Sequence, residues 1–506
     1  MSQWTAPDTG PGVLESVLTA ADNASAVLAR SSLADRARWL NAIADALEAH
    51  RGELIGIAHA ETHLLEARLT GEVTRTAFQL RLVATAVLEG SWLEATIDHD
   101  DPYWPMGPRP DLRRFLRPLG PVLVVAASNF PFAFSVAGGD TATALGSGCP
   151  VILKAHPGHP KLSRRTAELV IEAVESSGAP RGTFALIESE EDAQTALRDH
   201  RVQAGSFTGS IRGGRLLHDI ATARPIPFYG ELGSVNPVFV LPSAIRSRRR
   251  AIVDGFVDSF TLGTGQFCTK PGVMFVPRTD GLLLELAERA ALVNAPTMLN
   301  ERIESGYRKR LKEMNRTWQP ALRADSSEDA VAPTLFTTTL ADAHRNLDAL
   351  FDESFGPTSV VVTYDDPADL PAVARSLPGQ LTTTIHAEEG AEREVPDLVD
   401  ILATRAGRIV WNGWPTGVTV SWAMHHGGTW PATTASVHTS VGPSALRRFV
   451  TPVAYQNVPA SLLPEAVRED NPQRIWQRID GQLTPAAESK DFKAPPSDRT
   501  ASKEIA

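Results

Sequence analysis

Two patterns of apolar and polar residues follow one another along the chain. In the first, Leu40, Ile43 and Leu47 recur at helical spacing after the polar pair Ser31-Ser32, with charged residues on the opposite face. From about residue 120, short apolar runs alternate with amphipathic stretches, which predicts parallel βαβ units in a doubly wound sheet. The predicted strands are 122–126, 151–154, 184–187 and 206–208, and the predicted helices are 133–145, 163–176 and 212–223.

A second series of apolar runs indicates a second α/β domain. Its predicted strands are 238–241, 273–276, 359–363, 382–385 and 409–411. The proline-punctuated stretch 224–228 precedes this series, so we place a domain boundary directly after residue 229. The predicted units are 1–229, 230–430, a returning segment 431–485 and a polar tail 486–506 that we expect to be disordered.

Composition narrows the class of protein. A chain of 506 residues is too long for one core, and its net charge of −10 argues against a nucleic-acid partner. Two cysteines give no disulfide framework, and the polar N-terminus lacks the basic and apolar regions of a secretion signal, so we expect a cytoplasmic protein. The uncharged stretch 118–139 is long enough to span a membrane. It is interrupted by Pro121, Asn129 and Pro131, which favours a buried strand with turns over a membrane partner.

One of the two cysteines has the surroundings of a nucleophile. Cys268 lies among Gly263, Gly265 and Gly272, where backbone N–H groups can face a bound oxyanion. Upstream, Glu231 lies in the apolar stretch 228–234, which indicates a buried carboxylate. Thiol, carboxylate and oxyanion donors together predict an acyl-transfer site. The alternative is that the cysteine is a small buried apolar residue, as we expect for the cysteine at position 149.

Two further patterns carry weaker signals. The stretch 207–214 places glycines at a strand-to-helix turn, where N–H groups could meet a pyrophosphate, although such turns also need glycine for geometry alone. The adjacent His425-His426 could be metal ligands, but neighbouring side chains do not converge easily and no third ligand is evident. We therefore predict no metal site.

Several motifs stand in the order found in aldehyde dehydrogenases, and the chain resembles that family over roughly residues 15–480. The motifs are 127–131, 207–210 with Gly214, 231–233, 265–268 and 353–357. Within the family the chain is most similar to the α-ketoglutaric semialdehyde dehydrogenases, through 129–140, 154–157, 412–417 and 452–457. The resemblance implies a cofactor-binding domain at 1–229, a catalytic domain at 230–430, and a small oligomerisation element near 100–120 and within 431–485. It also implies a homodimer or homotetramer.

The resemblance also implies roles for single residues. Cys268 would attack the aldehyde, Asn129 would bind the oxyanion, and Glu231 would activate water to hydrolyse the thioester. Taken alone, Asn129 would be read as a turn residue, and Ser234 departs from the usual second glycine of the glutamate motif. The residues expected to bind the cofactor are Lys154, His156, Gly209, Ser210, Gly214, Arg215, Glu353 and Phe355.

The residue three positions after the cofactor lysine bears on cofactor choice. Relatives that prefer NAD often carry a glutamate there, whereas this chain has Pro157. No carboxylate then opposes a 2′-phosphate, and Lys154, His156 and Arg215, together with Arg212, lie on nearby segments. These features favour NADP, with NAD also possible.

The predicted function is NADP-dependent oxidation of a small aldehyde, α-ketoglutaric semialdehyde, to 2-oxoglutarate through a cysteine thiohemiacetal and thioester. Trp422, His426 and Trp430 lie where relatives line the substrate tunnel, so a long-chain or aromatic aldehyde is the alternative substrate. A catalytically retired relative that binds nucleotide is a third hypothesis. Such a protein need not keep a reactive cysteine of low pKa, which the active enzyme is expected to have.

Overall fold

The computed structural model describes residues 11–294, 297–323 and 331–485. In chain order the helices are α1 (Pro11–Leu28), α2 (Leu33–Ala49), α3 (Arg51–Thr62), α4 (Glu66–Glu89), α5 (Gly139–Ser147), α6 (Pro160–Ser176), α7 (Glu190–Arg198), α8 (Ile211–Thr222), α9 (Pro242–Thr261), α10 (Leu282–Ala291), α11 (Glu301–Thr317), α12 (Leu340–Arg345), α13 (Leu347–Leu350), α14 (Leu370–Ser376) and α15 (Leu398–Ala403). The strands are β1 (Thr96–Asp98), β2 (Leu112–Pro118), β3 (Val122–Val125), β4 (Val151–Lys154), β5 (Phe184–Ile187), β6 (Ala204–Thr208), β7 (Phe228–Glu231), β8 (Val238–Val240), β9 (Val273–Pro277), β10 (Gln319–Arg323), β11 (Thr334–Thr339), β12 (Thr358–Tyr364), β13 (Gln380–His386), β14 (Ala406–Trp411), β15 (Val450–Gln456), β16 (Gln477–Ile479) and β17 (Gln482–Thr484). They form three sheets.

The N-terminal helices pack against the first sheet. Helix α2 begins with a capping box, in which Ser32 Oγ accepts a hydrogen bond from the Asp35 N–H and the Asp35 carboxylate accepts one from the Ser32 N–H. The apolar residues Leu40, Ile43 and Leu47 are all buried, in a core shared with α4 and α5. The predicted amphipathic helix is confirmed.

The first sheet is entirely parallel and has the order β5-β4-β3-β6-β7. Its central strands read as continuous apolar runs because helices cover both faces of a parallel sheet. The chain starts at β3 in the middle, adds β4 and β5 on one side, and then adds β6 and β7 on the other. Such a change of direction opens a crevice at the carboxyl ends of the strands, where α/β proteins bind ligands.

The second sheet has seven strands in the order β10-β11-β12-β9-β8-β13-β14. All neighbours run parallel except β10 and β11. Strands β12 and β13 are buried along their whole length. The predicted second α/β domain is therefore confirmed, and its sheet also contains β10 and β11, which the sequence did not reveal.

A third, smaller sheet has the order β15-β2-β1-β16-β17. Its longest pair is the antiparallel β2–β15 ladder, in which Phe115 lies opposite Val453. These strands come from the two segments that we expect to form the oligomerisation element. That role stays a prediction.

The helix predicted at 133–145 begins later than expected, at Gly139. Residues 131–138 form successive turns because the N–H groups of Phe132 and Ala133 donate to the buried carboxylate of Glu72, at 2.8 and 3.0 Å. A Cβ at Gly138 would lie 2.6 Å from the Ala133 carbonyl oxygen, so this tight turn requires glycine. A distant carboxylate, invisible to local pattern, decides where this helix starts.

The stretch that resembled a membrane span is the buried strand β3 followed by these turns. Among the described residues, no helix combines the length and apolar character needed to cross a bilayer. The sequence-based interpretation of this stretch as a core strand is confirmed.

Strand β7 runs across the predicted domain boundary after residue 229, because Phe228–Glu231 pairs with β6 in the first sheet. Glu231 is thus the last residue of an edge strand of the first sheet. The division into functional domains stays a prediction. The predicted tail 486–506 lies outside the described residues.

Candidate active site

Cys268 follows a tight turn at the end of α9. Gly263, Thr264 and Gly265 all adopt positive φ, at 57°, 58° and 67°. A Cβ at Gly265 would lie 2.2 Å from the Gly356 carbonyl oxygen, so only glycine allows this approach. The Cys268 carbonyl in turn accepts a hydrogen bond of 2.8 Å from Asn236 Nδ2. The loop is therefore fixed on both sides of the thiol.

Cys268, Glu231 and His426 meet at one point. Nε2 of His426 lies 2.8 Å from Oε1 of Glu231 and 3.6 Å from Sγ of Cys268. The other carboxylate oxygen of Glu231 accepts a hydrogen bond of 2.5 Å from Ser440 Oγ. Glu231 and His426 are almost fully buried, at 4 % and 1 % exposure. The sequence analysis predicted that Cys268 and Glu231 share one site, but it placed His426 only in the region of a substrate tunnel.

Opposing effects set the pKa of Glu231. Burial raises it, whereas interaction with His426 and hydrogen bonds from Ser440 and Cys268 lower it, and the net pKa lies below 4.5. Glu231 therefore carries a negative charge at neutral pH. A carboxylate in this state can accept a proton.

The negative charge of Glu231 also affects the pKa of the Cys268 thiol. Burial raises the pKa of Cys268 well above 9, the charges of Glu231 and Glu353 raise it further, and Arg408 lowers it only in part. The structure thus contradicts the expectation of a low-pKa cysteine. The physical reason is that a thiolate here would lose much of its hydration and would lie beside the charged carboxylate of Glu231.

Asn129 lies beside the same loop. Its Nδ2 donates a hydrogen bond of 3.0 Å to the Gln266 carbonyl, two residues before Cys268, and its own carbonyl accepts one of 2.6 Å from Arg68. The side chain is buried, at 7 % exposure. The structure thus brings the three predicted catalytic residues together.

The residues expected to bind the cofactor gather at the carboxyl edge of the first sheet. Lys154 ends β4 and is buried, which lowers the pKa of its ammonium. Gly209 and Ser210 follow β6, and Ser210 Oγ caps α8 by accepting from the Gly213 N–H. A Cβ at Gly214 would lie 2.1 Å from Leu232 Cδ2, so glycine lets α8 pack closely against the chain that leaves β7. This open helix N-terminus at a sheet switch point fits a dinucleotide phosphate.

Two of the expected cofactor cations behave differently from the prediction. Burial, with repulsion from His159 and Lys154, lowers the pKa of His156 to about 3, so its ring is neutral at physiological pH. The guanidinium of Arg215 stacks on the Trp430 ring, with Cζ 5.3 Å from the ring centroid. His156 therefore brings no positive charge to a 2′-phosphate and does not support a preference for NADP.

Glu353 approaches the backbone just after Glu231, because a Cβ at Gly233 would lie 2.2 Å from Glu353 Oε2. Burial raises the pKa of Glu353, and the neighbouring Lys270 opposes that shift. Lys270 Nζ itself donates to the Ser354 and Thr358 carbonyls. Phe355 is half-buried two residues after Glu353. The loop 353–357 is thereby anchored next to the catalytic residues.

The triangle of Glu231, Cys268 and His426 is also a possible metal-ligand set, since one donor atom of each lies within 4.8 Å of the others. The sequence argument against a metal rested on the lack of a third ligand. The other two possible ligands, Glu231 and Cys268, come from segments of the chain far from His426, so the sequence did not reveal them. Its neighbour His425 does not take part.

Replacing Glu231 by Gln is expected to make Cys268 more reactive toward iodoacetamide near pH 7 in the cofactor-free protein. The change removes the charge that holds the thiol pKa high, and each unit of decrease raises the thiolate fraction about tenfold. The alkylation rate is measured by mass spectrometry of the peptide that contains Cys268.

Cys149→Ser is the matched control. Cys149 is fully buried, which raises the pKa of its thiol to about 11, so its removal should not alter alkylation at position 268. A slower reaction in Glu231→Gln would contradict the prediction. It would mean that the carboxylate activates the thiol by accepting its proton more than it suppresses the thiolate.

Comparison with known proteins agrees with this geometry. Residues 3–449 match the model of the aldehyde dehydrogenase family. The chain is 44 % identical to alpha-ketoglutaric semialdehyde dehydrogenase 2 of Azospirillum brasilense, over 89 % of this chain and 88 % of that protein. It is 39 % identical to alpha-ketoglutaric semialdehyde dehydrogenase of Acinetobacter baylyi, over 89 % and 87 % of the two chains.

Solved structures show the same fold at low sequence identity. Succinic semialdehyde dehydrogenase from Streptococcus pyogenes, in complex with NADP+, superimposes with a TM-score of 0.74 at 18 % identity, covering 90 % of this chain and 97 % of that one. An NADP-dependent enzyme of E. coli gives 0.74 at 19 % identity, covering 90 % and 92 %. The predicted fold class is confirmed, and the chain belongs to the aldehyde dehydrogenase family.

Proposed function

We propose that this enzyme oxidises α-ketoglutaric semialdehyde to 2-oxoglutarate with NADP as hydride acceptor. As an aldehyde dehydrogenase it acts on a small-molecule aldehyde with NAD or NADP. The semialdehyde is supported by the two relatives, at 44 % and 39 % identity, that carry this activity in their names. The observation that carries the chemistry is the contact of the Cys268 thiol with the buried Glu231–His426 pair.

In this proposal Cys268 is the nucleophile. Its proton passes to the Glu231–His426 pair, which lies within reach of Sγ and is held in place by Ser440. Sγ then bonds to the aldehyde carbon and gives a thiohemiacetal. Because the resting thiol is protonated, this transfer must accompany or precede the attack.

Asn129 stabilises the negative oxygen that forms in the attack. Its Nδ2 now donates to the Gln266 carbonyl in the same loop, so a modest rotation would redirect it to the oxyanion, with the Cys268 N–H as second donor. One donor of this kind typically contributes about 3–4 kcal/mol to lowering the barrier. When bound, the dinucleotide supplies the acceptor for the hydride that leaves the thiohemiacetal carbon.

Glu231 then acts again, as the base in hydrolysis of the thioester. Hydrolysis of the Cys268 thioester needs a base for the attacking water, and the lowered pKa of Glu231 keeps it ionised for this step. His426 holds one carboxylate oxygen and Ser440 the other, which fixes the direction from which water is activated. The products are the carboxylic acid and the free thiol.

We assign the cofactor to the carboxyl edge of the first sheet. The Ser210-capped N-terminus of α8 would hold the pyrophosphate, with Gly209 and Gly214 permitting close approach. Lys154 would contact the adenine ribose and any 2′-phosphate, while Glu353 would hold the nicotinamide ribose beside Phe355. The preference for NADP rests on Pro157 and Lys154, since His156 is neutral.

We also propose that the third sheet is the oligomerisation element of a homodimer or homotetramer. The segment just before β2 exposes Tyr103 and Met106, each 91 % accessible, and Trp104 at 44 %. Large apolar side chains grouped on one exposed segment are typical of an interface. Both cysteines are free, in keeping with our assignment to a reducing compartment such as the cytoplasm.

Glu231→Gln is expected to separate the two half-reactions. The amide cannot accept a proton from water, so thioester hydrolysis should slow by at least tenfold more than hydride transfer. Rapid mixing with aldehyde and NADP should show a burst of NADPH absorbance followed by slow turnover. The control Cys268→Ala should show neither phase, because a methyl group cannot form the thiohemiacetal. Turnover by Cys268→Ala would overturn the assignment of the nucleophile.

Cofactor choice gives another test. Wild type should show higher kcat/KM for NADP than for NAD, and Lys154→Ala should lose more with NADP because only that cofactor carries the 2′-phosphate. Lys161→Ala, an exposed lysine on α6, is the control and should change neither value. A wild-type preference for NAD would show that the missing carboxylate at Pro157 does not decide the cofactor.

The substrate is tested by comparing kcat/KM for α-ketoglutaric semialdehyde with hexanal and benzaldehyde at one pH. We expect the semialdehyde to exceed both. The long-chain or aromatic alternative, prompted by Trp422 and Trp430, is not favoured by the contact that Trp430 makes with Arg215 on the cofactor side. If an uncharged aldehyde is better by tenfold, about 1.4 kcal/mol in transition-state binding, the semialdehyde assignment is wrong.

A further inference from the structure

Helix α4 presents two arginines to the catalytic loop. Arg68 and Arg75 are seven residues apart, two helical turns, and so lie on one face about 10 Å apart along the axis. Neither forms an ion pair among the described residues. In each of them Nη1 is buried and lacks a hydrogen-bond partner in the described part of the chain. Buried cationic donors left open in this way are costly unless something satisfies them.

The guanidinium groups of Arg68 and Arg75 differ in the contacts that they make within the protein. Arg68 lies over the rings of Phe130 and Phe267, at 5.2 and 4.9 Å, and its Nη2 holds the Asn129 carbonyl. It therefore positions the oxyanion loop. Among the residues that the structure describes, Arg75 makes one long hydrogen bond, 3.4 Å from Nη2 to the Val418 carbonyl. Its Nη1 is the donor that has no partner in this part of the chain.

Arg75 lies close to the reacting thiol. Its Cζ is 5.4 Å from the centroid of the Phe134 ring, and that ring also contacts His426, whose Nε2 is 3.6 Å from Sγ of Cys268. The charges of Cys268 and Glu231 both act on the Arg75 guanidinium. The Val418 carbonyl that it holds belongs to the segment leading to Trp422. Arg75 thus lies near the thiol, one aromatic ring away from the His426 that contacts it.

The nearby carboxylates act on Arg75 without forming an ion pair with it in the described part of the chain. Glu72 lies between the two arginines on α4, and its Oε1 accepts the N–H groups of Phe132 and Ala133. The charges of Glu72 and Glu231 both act on the Arg75 guanidinium, yet its buried Nη1 has no hydrogen-bond partner among the described residues. An anionic group brought by the substrate would satisfy this donor.

We propose that Arg75 binds the carboxylate of the aldehyde substrate and so selects aldehydes with an anionic group at the end remote from the carbonyl. The proposal rests on the proposed function, since α-ketoglutaric semialdehyde carries such a group. Four carbon–carbon bonds separate its aldehyde carbon from its carboxylate carbon, roughly 5 Å when extended. A planar guanidinium with open donors suits a carboxylate, which it can bind through two parallel hydrogen bonds.

The test compares α-ketoglutaric semialdehyde with pentanal, which has the same chain length and no carboxylate. In Arg75→Met the ratio of kcat/KM for the semialdehyde to that for pentanal should fall at least thirtyfold, mainly through KM, and Arg75→Lys should restore part of it. Arg81→Gln is the matched control on the same helix, because Arg81 is ion-paired with Asp45 and Glu48 at 2.6 and 2.7 Å on the surface. It should leave the ratio within twofold. An equal loss for both aldehydes in Arg75→Met would mean that Arg75 only supports the fold, and would overturn the proposal.

A second measurement does not depend on the semialdehyde or on the folding of a variant. Glutarate should inhibit pentanal oxidation by wild type in competition with the aldehyde, whereas 1,5-pentanediol, its uncharged counterpart, should inhibit at least tenfold more weakly. Inhibition by glutarate without turnover of the semialdehyde would refute the proposed function and support the carboxylate site. Equal inhibition by the two compounds would overturn the carboxylate site even if the semialdehyde proves to be the substrate.

Discussion

The active site depends on the buried hydrogen bond between Glu231 and His426. It joins the last residue of β7 to a segment almost two hundred residues further along the chain, and both groups are withdrawn from water. Breaking such a pair by removing one partner leaves a buried polar or charged group unsatisfied, which costs about 3–5 kcal/mol. Ser440 completes the arrangement by occupying the other carboxylate oxygen. The direction of the Glu231 carboxylate toward Cys268 follows from these two contacts.

This pair also sets the electrostatics of the thiol. A carboxylate that must stay ionised to activate water necessarily disfavours a thiolate beside it, and burial acts in the same direction. The raised pKa favours the protonated form of Cys268, which is less reactive than the thiolate. Arg75 on α4 and Arg408 on β14 oppose this effect from further away. The site holds an ionised base and a nucleophile within a few ångströms of each other.

The two α/β sheets contribute different parts of the active site. The first provides an open carboxyl edge, where Lys154 ends β4 and Ser210 follows β6, on either side of the central strand β3, and it also supplies Glu231. The second provides the turn that carries Cys268, directly before β9. Glycines with positive φ at 263 and 265 allow that turn to press against the loop at Gly356. Base and nucleophile therefore come from different sheets and meet only when both are folded.

The sequence by itself determined the local parts of this protein. Apolar runs of four to seven residues identified the buried parallel strands, because such strands are covered on both faces and need no polar positions. The glycine-lined loop marked Cys268, and the motif order implied Glu231 and Asn129. Strands of the small third sheet such as β2 and β15 have mixed burial and left no such pattern, so they were missed.

Only the tertiary structure decided the contacts between distant segments. It brought His426 and Ser440 to Glu231, delayed the start of α5 through Glu72, and removed the charge of His156 by burying it. It also brought Arg75 close enough to interact with the charges of Cys268 and Glu231. None of these could be read from local pattern, because hydrogen bonding, burial and charge balance depend on which residues become neighbours in space, and spacing along the chain does not record that.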